Sequence, residues 1–313
     1  MFKRIAAGTV VVVAAAVALS GCSAGGNASS NDEITIGLAV ANQQADFFNQ
    51  IRQSAQAEAK KKGVKLIVAD AKGDADTQVS EIQNFIAQQV DAIIYIPAGA
   101  TAATVPVKQA HAQNIPVVTV DRNPDGEAGD TFIATDSVAA ATELGKYVAK
   151  LNPSGDVGVV QGQIGTTPQV EREKGFKAGI KDSDLKVVSE NASQQWAQDE
   201  GFNIATDMLQ ANPNIKVFFG QADALALGAA QAARQAGKDD ITVVGFDGDV
   251  AGLKAVKAGT LAATITQPTQ KMGRLAVDSA IKLAKGKKLP KEQLQEGVLT
   301  TKDNVDPFIK THP

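Results

Sequence analysis

The chain has 313 residues, 44% of them hydrophobic and 21% charged, with a formal net charge of −3. This length accommodates one large domain or, as expected here, two of ordinary size, and the composition is that of a soluble globular protein. The slight acidity gives no reason to expect nucleic acid, and a single cysteine, Cys22, leaves no intramolecular disulfide.

The N-terminus departs from this average. Lys3 and Arg4 form a short basic region, and the run from Ile5 to Leu19 carries no charge and is mostly Ala and Val. It is too short and too Ala-rich for a membrane span and reads as a secretory signal. Its end, Leu19-Ser20-Gly21-Cys22, resembles the lipobox of bacterial lipoproteins, in which the Cys becomes the lipidated first residue. The expectation is a signal peptide over 1–21 and a lipidated Cys22 with a flexible tether over 22–33. That tether is rich in Ser, Gly and Asn and would leash the body to the outer face of a membrane.

A rhythm then begins at Ile34. Ile34–Val40 reads as an apolar strand, and Phe47–Lys62 as a helix with Phe48, Ile51, Ala55 and Ala59 on one face, stopped by Gly63. The pattern predicts strand Val64–Ala69, helix Asp74–Gln89, strand Ala92–Ile96 and helix Thr101–Gln113. The strand from Ile115 is apolar and β-branched and ends abruptly in Asp121, Arg122 and Asn123. A short strand Thr131–Ala134 follows, and Asp136 is a suitable N-cap for a helix to Leu151.

There the rhythm restarts. It predicts strand Asp156–Gln161, helix Val170–Ile180, strand Leu185–Glu190, helix Gln198–Gln210, strand Val217–Gly220, helix Ala224–Ala236 and strand Ile241–Phe246. Helix Val250–Ala258, strand Leu261–Thr266 and helix Lys271–Ala284 complete the run. The tail after Pro290 reads as polar and irregular, with Gly297–Thr301 a last strand. Strands alternating with helices of this length imply parallel βαβ units. Two runs of units suggest two similar lobes; one sheet of ten or more strands is the other arrangement.

In an open α/β sheet, ligands bind beyond the carboxyl ends of the strands. Asp121 and Arg122 stand at such an end, an acceptor-only carboxylate beside a guanidinium with five donors. The pair suits a small molecule covered in hydroxyls. Taken alone, a solvated surface turn explains it equally well.

Several stretches in order resemble one family, the ribose-type sugar-binding proteins of bacterial ABC transporters with the type I periplasmic-binding-protein fold. They are Asp46-Phe47-Phe48, Thr119-Val120-Asp121-Arg122, Arg172-Glu173-Lys174-Gly175-Phe176, Ala226-Leu227-Gly228-Ala229, Val243-Val244-Gly245-Phe246-Asp247-Gly248 and the run from Leu261 to Gln267. The resemblance spans about Ile34 to Ala284. It implies an α/β chain of two doubly wound lobes joined by three crossovers. The expected lobes are 34–135 plus 268–296 and 136–267 plus 297–313.

The resemblance also implies a site. Asp121, Arg122, Arg172, Asp247 and Gln267 would be polar ligands of a sugar. Phe48, Trp196 and Phe246 would be apolar platforms, with Phe47 beside them. Aromatics are scarce in this chain (Phe 11, Tyr 2, Trp 1), and the C–H faces of a sugar ring pack well on such rings while its hydroxyls need directed partners. The chain departs from the ribose-binding pattern at three places. Gln43-Gln44-Ala45-Asp46 stands where those members have Asn before Pro-Phe-Phe. Ala222, flanked by Gln221 and Asp223, stands where the family offers an Asn. Trp196 replaces a smaller Phe. Asn42, Gln43, Gln44, Gln221 and Asp223 therefore join the candidates, and a solute other than ribose is expected, an acyclic polyol or a different monosaccharide.

Catalysis is not expected. The two histidines, His111 and His312, sit away from strand ends, and no Cys or His cluster would hold a metal. Asp121 and Asp247 could pair as in a glycosidase, yet each has a cation or turn suited to keep it ionised. The glycine turn Gly162-Gln163-Ile164-Gly165 lacks the Lys-Ser/Thr of a phosphate loop. No cofactor and no metal are called for. A sugar-responsive repressor would need a DNA-binding head where this chain has an export signal. The expected partners are a sugar or polyol, an ABC permease and, through the lipid anchor, the membrane, with the protein a monomer. A receptor presenting its ligand to a membrane sensor is the alternative.

Overall fold

In the computed structural model the described residues are 33–311 other than 101, 102 and 125. The signal segment, Cys22, the tether up to residue 32 and His312 lie outside them.

The first run builds β1 (Thr35–Val40), α1 (Asp46–Lys62), β2 (Lys65–Asp70), α2 (Ala75–Ala87), β3 (Ala92–Tyr95), α3 (Thr104–Ala112), β4 (Val117–Val120) and β5 (Thr131–Thr135). The second builds α4 (Ser137–Leu151), β6 (Ser154–Gln161), α5 (Thr167–Ile180), β7 (Asp184–Ala192), α6 (Gln198–Ala211), β8 (Ile215–Gly220), α7 (Asp223–Gln235), β9 (Thr242–Val244), α8 (Val250–Ala258) and β10 (Ala263–Thr266). Then come α9 (Thr269–Ala284), β11 (Glu292–Gln295), β12 (Val298–Thr301) and α10 (Asp306–Thr311).

These strands form two six-stranded sheets, ordered β11-β5-β4-β3-β1-β2 and β12-β10-β9-β8-β6-β7. Every pairing in the first is parallel, and in the second only β10–β12 is antiparallel. Apolar clusters cover both faces of each sheet. In the first lobe α1 and α9 pack on one face and α2 and α3 on the other. In the second α6, α7 and α8 oppose α4 and α5. Burial on both faces explains why these strands read as continuous apolar runs rather than alternating ones. This is the expected α/β architecture of two doubly wound lobes.

The chain passes between lobes three times, after β5 at residue 136, after β10 at 267–268 and after β11 at 296–297. Asp136 caps α4, accepting from Ala139 N at 3.0 Å. Gln267 Oε1 accepts from Thr135 Oγ1 at 2.6 Å, tying the first crossing to the second.

Some boundaries differ from the sequence reading. The polar tail after Pro290 holds β11, an edge strand of sequence Glu-Gln-Leu-Gln whose register with β5 runs from Glu292 opposite Phe132 to Gln295 opposite Thr135, where the pattern predicts irregular chain. An edge strand half open to water needs no apolar pattern. The short helix α10 closes the same tail, again without an apolar pattern to announce it. Helix α5 begins at Thr167 rather than Val170 because Pro168 occupies its first turn, where a missing N–H costs nothing.

Candidate binding site

The strand ends of both lobes converge on a cavity of about 360 Å³. From the first lobe come the β1–α1 loop and the first turn of α1 (Asn42, Gln44, Ala45, Asp46, Phe47, Phe48) and the end of β4 (Asp121, Arg122). From the second come Pro168 and Arg172 of α5, Gln195, Trp196 and Ala197 before α6, Ala222 and Ala224 around the start of α7, and Asp247 and Asp249 before α8.

Asp121 takes a left-handed backbone, φ 63°, which a short polar side chain tolerates. Its N–H still donates to Ile133 O at 2.9 Å, so the turn is pinned to β5. Arg122 Nη1 donates to Pro97 O and Ala98 O, both at 2.9 Å, and its Nε lies 3.5 Å from Asp121 Oδ2. Its guanidinium carbon lies 5.3 Å from the Phe48 ring centroid and 5.7 Å from that of Trp196, within cation–π range. Burial raises the Asp121 carboxyl above its ordinary value, while Arg122 and Arg172 pull it back.

A second pair faces it. Arg172 Nη1 donates to Gln221 O at 2.6 Å and lies 3.3 Å from Asp247 Oδ1. Asp247 also accepts from Gln267 Nε2 at 2.7 Å. Burial pushes the Asp247 carboxyl up to about 7 against the opposing pull of Arg172, with Asp249 and Asp121 adding to the rise. This corrects the expectation of an unperturbed, fully ionised carboxylate: the neighbouring cation and turn do not outweigh desolvation by two closely packed lobes.

Trp196 stands over these groups. Its backbone φ is 60°, and Ser193 Oγ accepts from its N–H at 2.7 Å. The indole occupies the space above Gly162, where an added Cβ would lie 1.9 Å from the ring. Glycine at 162 is therefore a condition for tryptophan at 196. Phe47 and Phe48 meet edge to face at 5.2 Å and both line the cavity, although adjacent residues of a helix cannot share one face. Both sit in the first turn of α1, where the helix end itself forms the wall.

Other candidates lie elsewhere. Phe246 is fully buried beneath Arg172, with the guanidinium carbon 4.1 Å from its ring centroid, and supports that cation. Gln267 is buried at the second crossing, between Thr135 and Asp247. Gln221 is buried too: its Oε1 accepts from Gly162 N at 2.9 Å and its Nε2 donates to Gln169 O at 3.1 Å. Asp223 is fully buried against the β9–α8 segment. The Gln43 backbone N–H donates to Asp70 Oδ1 at 3.1 Å, and Gln43 is outside the lining. Conversely, Ala45, Asp46, Pro168, Gln195, Ala197, Ala222, Ala224 and Asp249 line the cavity without having been candidates. Ala45, Asp46 and Ala222 fall at positions where the resemblance to the family places the site; the others had only their place after a strand as a signal.

Among the described residues, three that line the cavity carry buried donors with no hydrogen-bond partner: Arg122 Nε, Arg172 Nε and Trp196 Nε1. Buried polar atoms are normally satisfied. A molecule bearing acceptor oxygens would satisfy these, and one bearing hydroxyls would also donate to Asp121 and Asp247. Among the described residues no group of three or more His, Cys, Asp or Glu is placed to hold a metal, and no helix is long and apolar enough to cross a membrane.

Residues 36–288 match the model of the periplasmic binding protein domain family. The ribose import binding protein of Bacillus subtilis is 35% identical over 266 residues, covering 85% of this chain and 86% of that protein. The xylitol-binding protein of Mycolicibacterium smegmatis is 32% identical, covering 95% of this chain and 85% of its own. Among solved structures, an ABC transporter solute binding protein from Bacillus halodurans with bound myo-inositol superposes with a TM-score of 0.83 at 29% identity, covering 89% of this chain and 98% of that one. The chain belongs to the periplasmic binding protein family, as a type I member, and is a solute-binding protein rather than an enzyme.

Proposed function

We propose that this protein captures a monosaccharide or polyol between its lobes and delivers it to an ABC importer from the outer face of a membrane, held there by a lipid on Cys22. The observation that carries the reading is the pairing of Asp121–Arg122 from one lobe with Arg172–Asp247 from the other across one cavity. Two acceptors and two guanidinium donors, three of these four side chains buried, match vicinal hydroxyls, and Phe48 and Trp196 offer faces to a ring or carbon chain. The named solutes of the relatives, ribose, xylitol and myo-inositol, share this chemistry.

Closure about the three crossings brings the two pairs onto the solute together. Ala222 removes one amide partner, and Trp196 narrows the wall with an indole. A solute other than ribose is therefore the best ligand.

Differential scanning fluorimetry against pentoses, hexoses, inositols and acyclic polyols tests this, since a ligand that binds only the folded state raises the melting temperature. At least one polyhydroxylated solute should raise it in a concentration-dependent way, by more than ribose does. No shift with any of them would overturn the reading. Separately, Cys22→Ala should move the protein from the membrane fraction to the soluble one; continued pelleting in low and high salt would contradict the anchor.

A further inference from the structure

Asp223 opens α7 and is fully buried, yet it does not line the cavity. Its Oδ2 accepts from two consecutive amides, Gly248 N at 2.8 Å and Asp249 N at 3.0 Å. Its Oδ1 accepts from Thr264 Oγ1 at 2.6 Å. Glycines at 245 and 252 make room on either side: a Cβ there would lie 2.2 Å from Oδ1 and 2.0 Å from Oδ2.

The segment so gripped is unusual. Asp247 has φ 132° and Gly248 φ 69°, a conformation that non-glycine residues rarely hold and that persists only where its surroundings enforce it. The sheet secures the near side, with Asp247 N donating to Ile265 O at 2.9 Å and Gln267 N donating to Asp247 O at 2.9 Å. The far side, at 248 and 249, is held by Oδ2 of the Asp223 carboxyl. Between these anchors the Asp247 side chain reaches Arg172 and the cavity.

We propose that Asp223 is a positioning residue for solute binding: its carboxyl oxygen Oδ2 grips the 248 and 249 amides and holds Asp247 in the posture that meets the solute. The inference rests on the binding reading above. What the grip requires is an acceptor oxygen at this place. Asparagine retains one toward the amides, and its NH₂ can donate to the Thr264 hydroxyl, which both donates and accepts. Alanine retains none.

The test uses the purified full-length chain, with ribose, xylitol and myo-inositol as probes in calorimetry. Asp223→Ala should weaken the tightest-bound probe at least tenfold, and Asp223→Asn should recover to within about threefold of wild type. Thr264→Val, which spares both amides, should lower the melting temperature and leave affinity within threefold. If Asp223→Ala does not fold, Asp223→Ser, too short to reach both amides, takes its place under the same criteria. A folded Asp223→Ala binding within threefold of wild type, or an Asn variant no better than Ala, would overturn the proposal. Amide hydrogen exchange at 248 and 249, slow in wild type and fast in Asp223→Ala, tests the grip even if none of the three probes binds. Equal exchange in both proteins would overturn it independently of the function proposed.

Discussion

Asp121 and Arg122 are neighbours in sequence at the end of one strand, whereas Arg172 and Asp247 come from a helix and from the segment after β9. The first pair depends on its own turn and on two carbonyls, Pro97 O and Ala98 O. The second depends on Gln221 O beneath Arg172, on Phe246 under the guanidinium, on Gln267 beside Asp247 and on Asp223 behind the loop. Two walls with the same chemistry therefore differ in how far their supports reach. Damage to the first wall should stay local. Damage to the second should arrive from residues that never touch the solute.

The largest effect expected is from truncating either arginine. Removing one member of a buried, hydrogen-bonded charge network costs about 2–5 kcal/mol, on the order of 30- to several-thousand-fold in affinity. Arg122→Ala and Arg172→Ala should each abolish micromolar binding in calorimetry, and Arg122→Lys should recover only part, because an ammonium cannot copy the guanidinium fork. Arg172→Ala should also lower the melting temperature more than Arg122→Ala does, since it unties α5 from Gln221 O and uncovers the Phe246 ring as well as leaving a carboxyl without its cation. Equal losses of stability would break the contrast between the walls.

Next is a change that touches neither pair. Gly162→Ala drives a methyl into the Trp196 ring, and such overpacking costs about 1–3 kcal/mol. If the indole moves to relieve it, the solute loses its platform and affinity falls by about tenfold on that scale. Trp196 is the chain's one tryptophan, so its emission spectrum reports the displacement directly. An unchanged spectrum with unchanged affinity would contradict the packing account.

A third effect depends on pH. Asp247 is raised to about 7 in the folded chain, above its ordinary unfolded value of about 3.9. The folded state therefore binds this proton more readily than the unfolded one. Between those two values, stability of the solute-free protein rises as pH falls. Solute binding runs the other way, because hydroxyls donate to the ionised form: affinity should fall below pH 7 by up to about tenfold per unit. Asp247→Asn should make both profiles less steep; the rest of the stability profile comes from Asp121, Glu171, Asp223 and Asp249, whose carboxyls burial also raises. Parallel trends in stability and affinity would show that Asp247 does not meet the solute.

The smallest effect expected is from Trp196→Phe, which keeps a ring and deletes the Nε1 donor. A neutral hydrogen bond contributes about 0.5–1.5 kcal/mol, so affinity should drop roughly two- to tenfold. No loss would leave the indole N–H without a role in binding.

The same contrast explains what could be read in the sequence. The βα rhythm was legible because strands buried on both faces are continuous apolar runs, and two lobes follow from its restart after residue 151. Asp121–Arg122 was legible because adjacency to an apolar strand places both side chains at its carboxyl end. The polar edge strand β11 carried no such signal. Neither did the inward orientation of Gln221, Asp223 and Gln267: a polar residue past a strand end can face the cavity or the backbone behind it, and local pattern does not distinguish them. Gly162 became meaningful only once Trp196 lay against it. The upward displacement of Asp247 likewise required knowing how two lobes shut water out.

The most direct test of the central claim, a solute held by both walls at once, is a crystal structure of the protein with the tightest-binding solute from the fluorimetry panel. Two vicinal oxygens should lie within hydrogen-bond distance, about 2.5–3.2 Å, of Asp121 and Arg122 on one side, with further oxygens meeting Arg172 and Asp247 on the other. A solute that contacts one lobe's pair and leaves the other bonded only to protein or water would contradict the account.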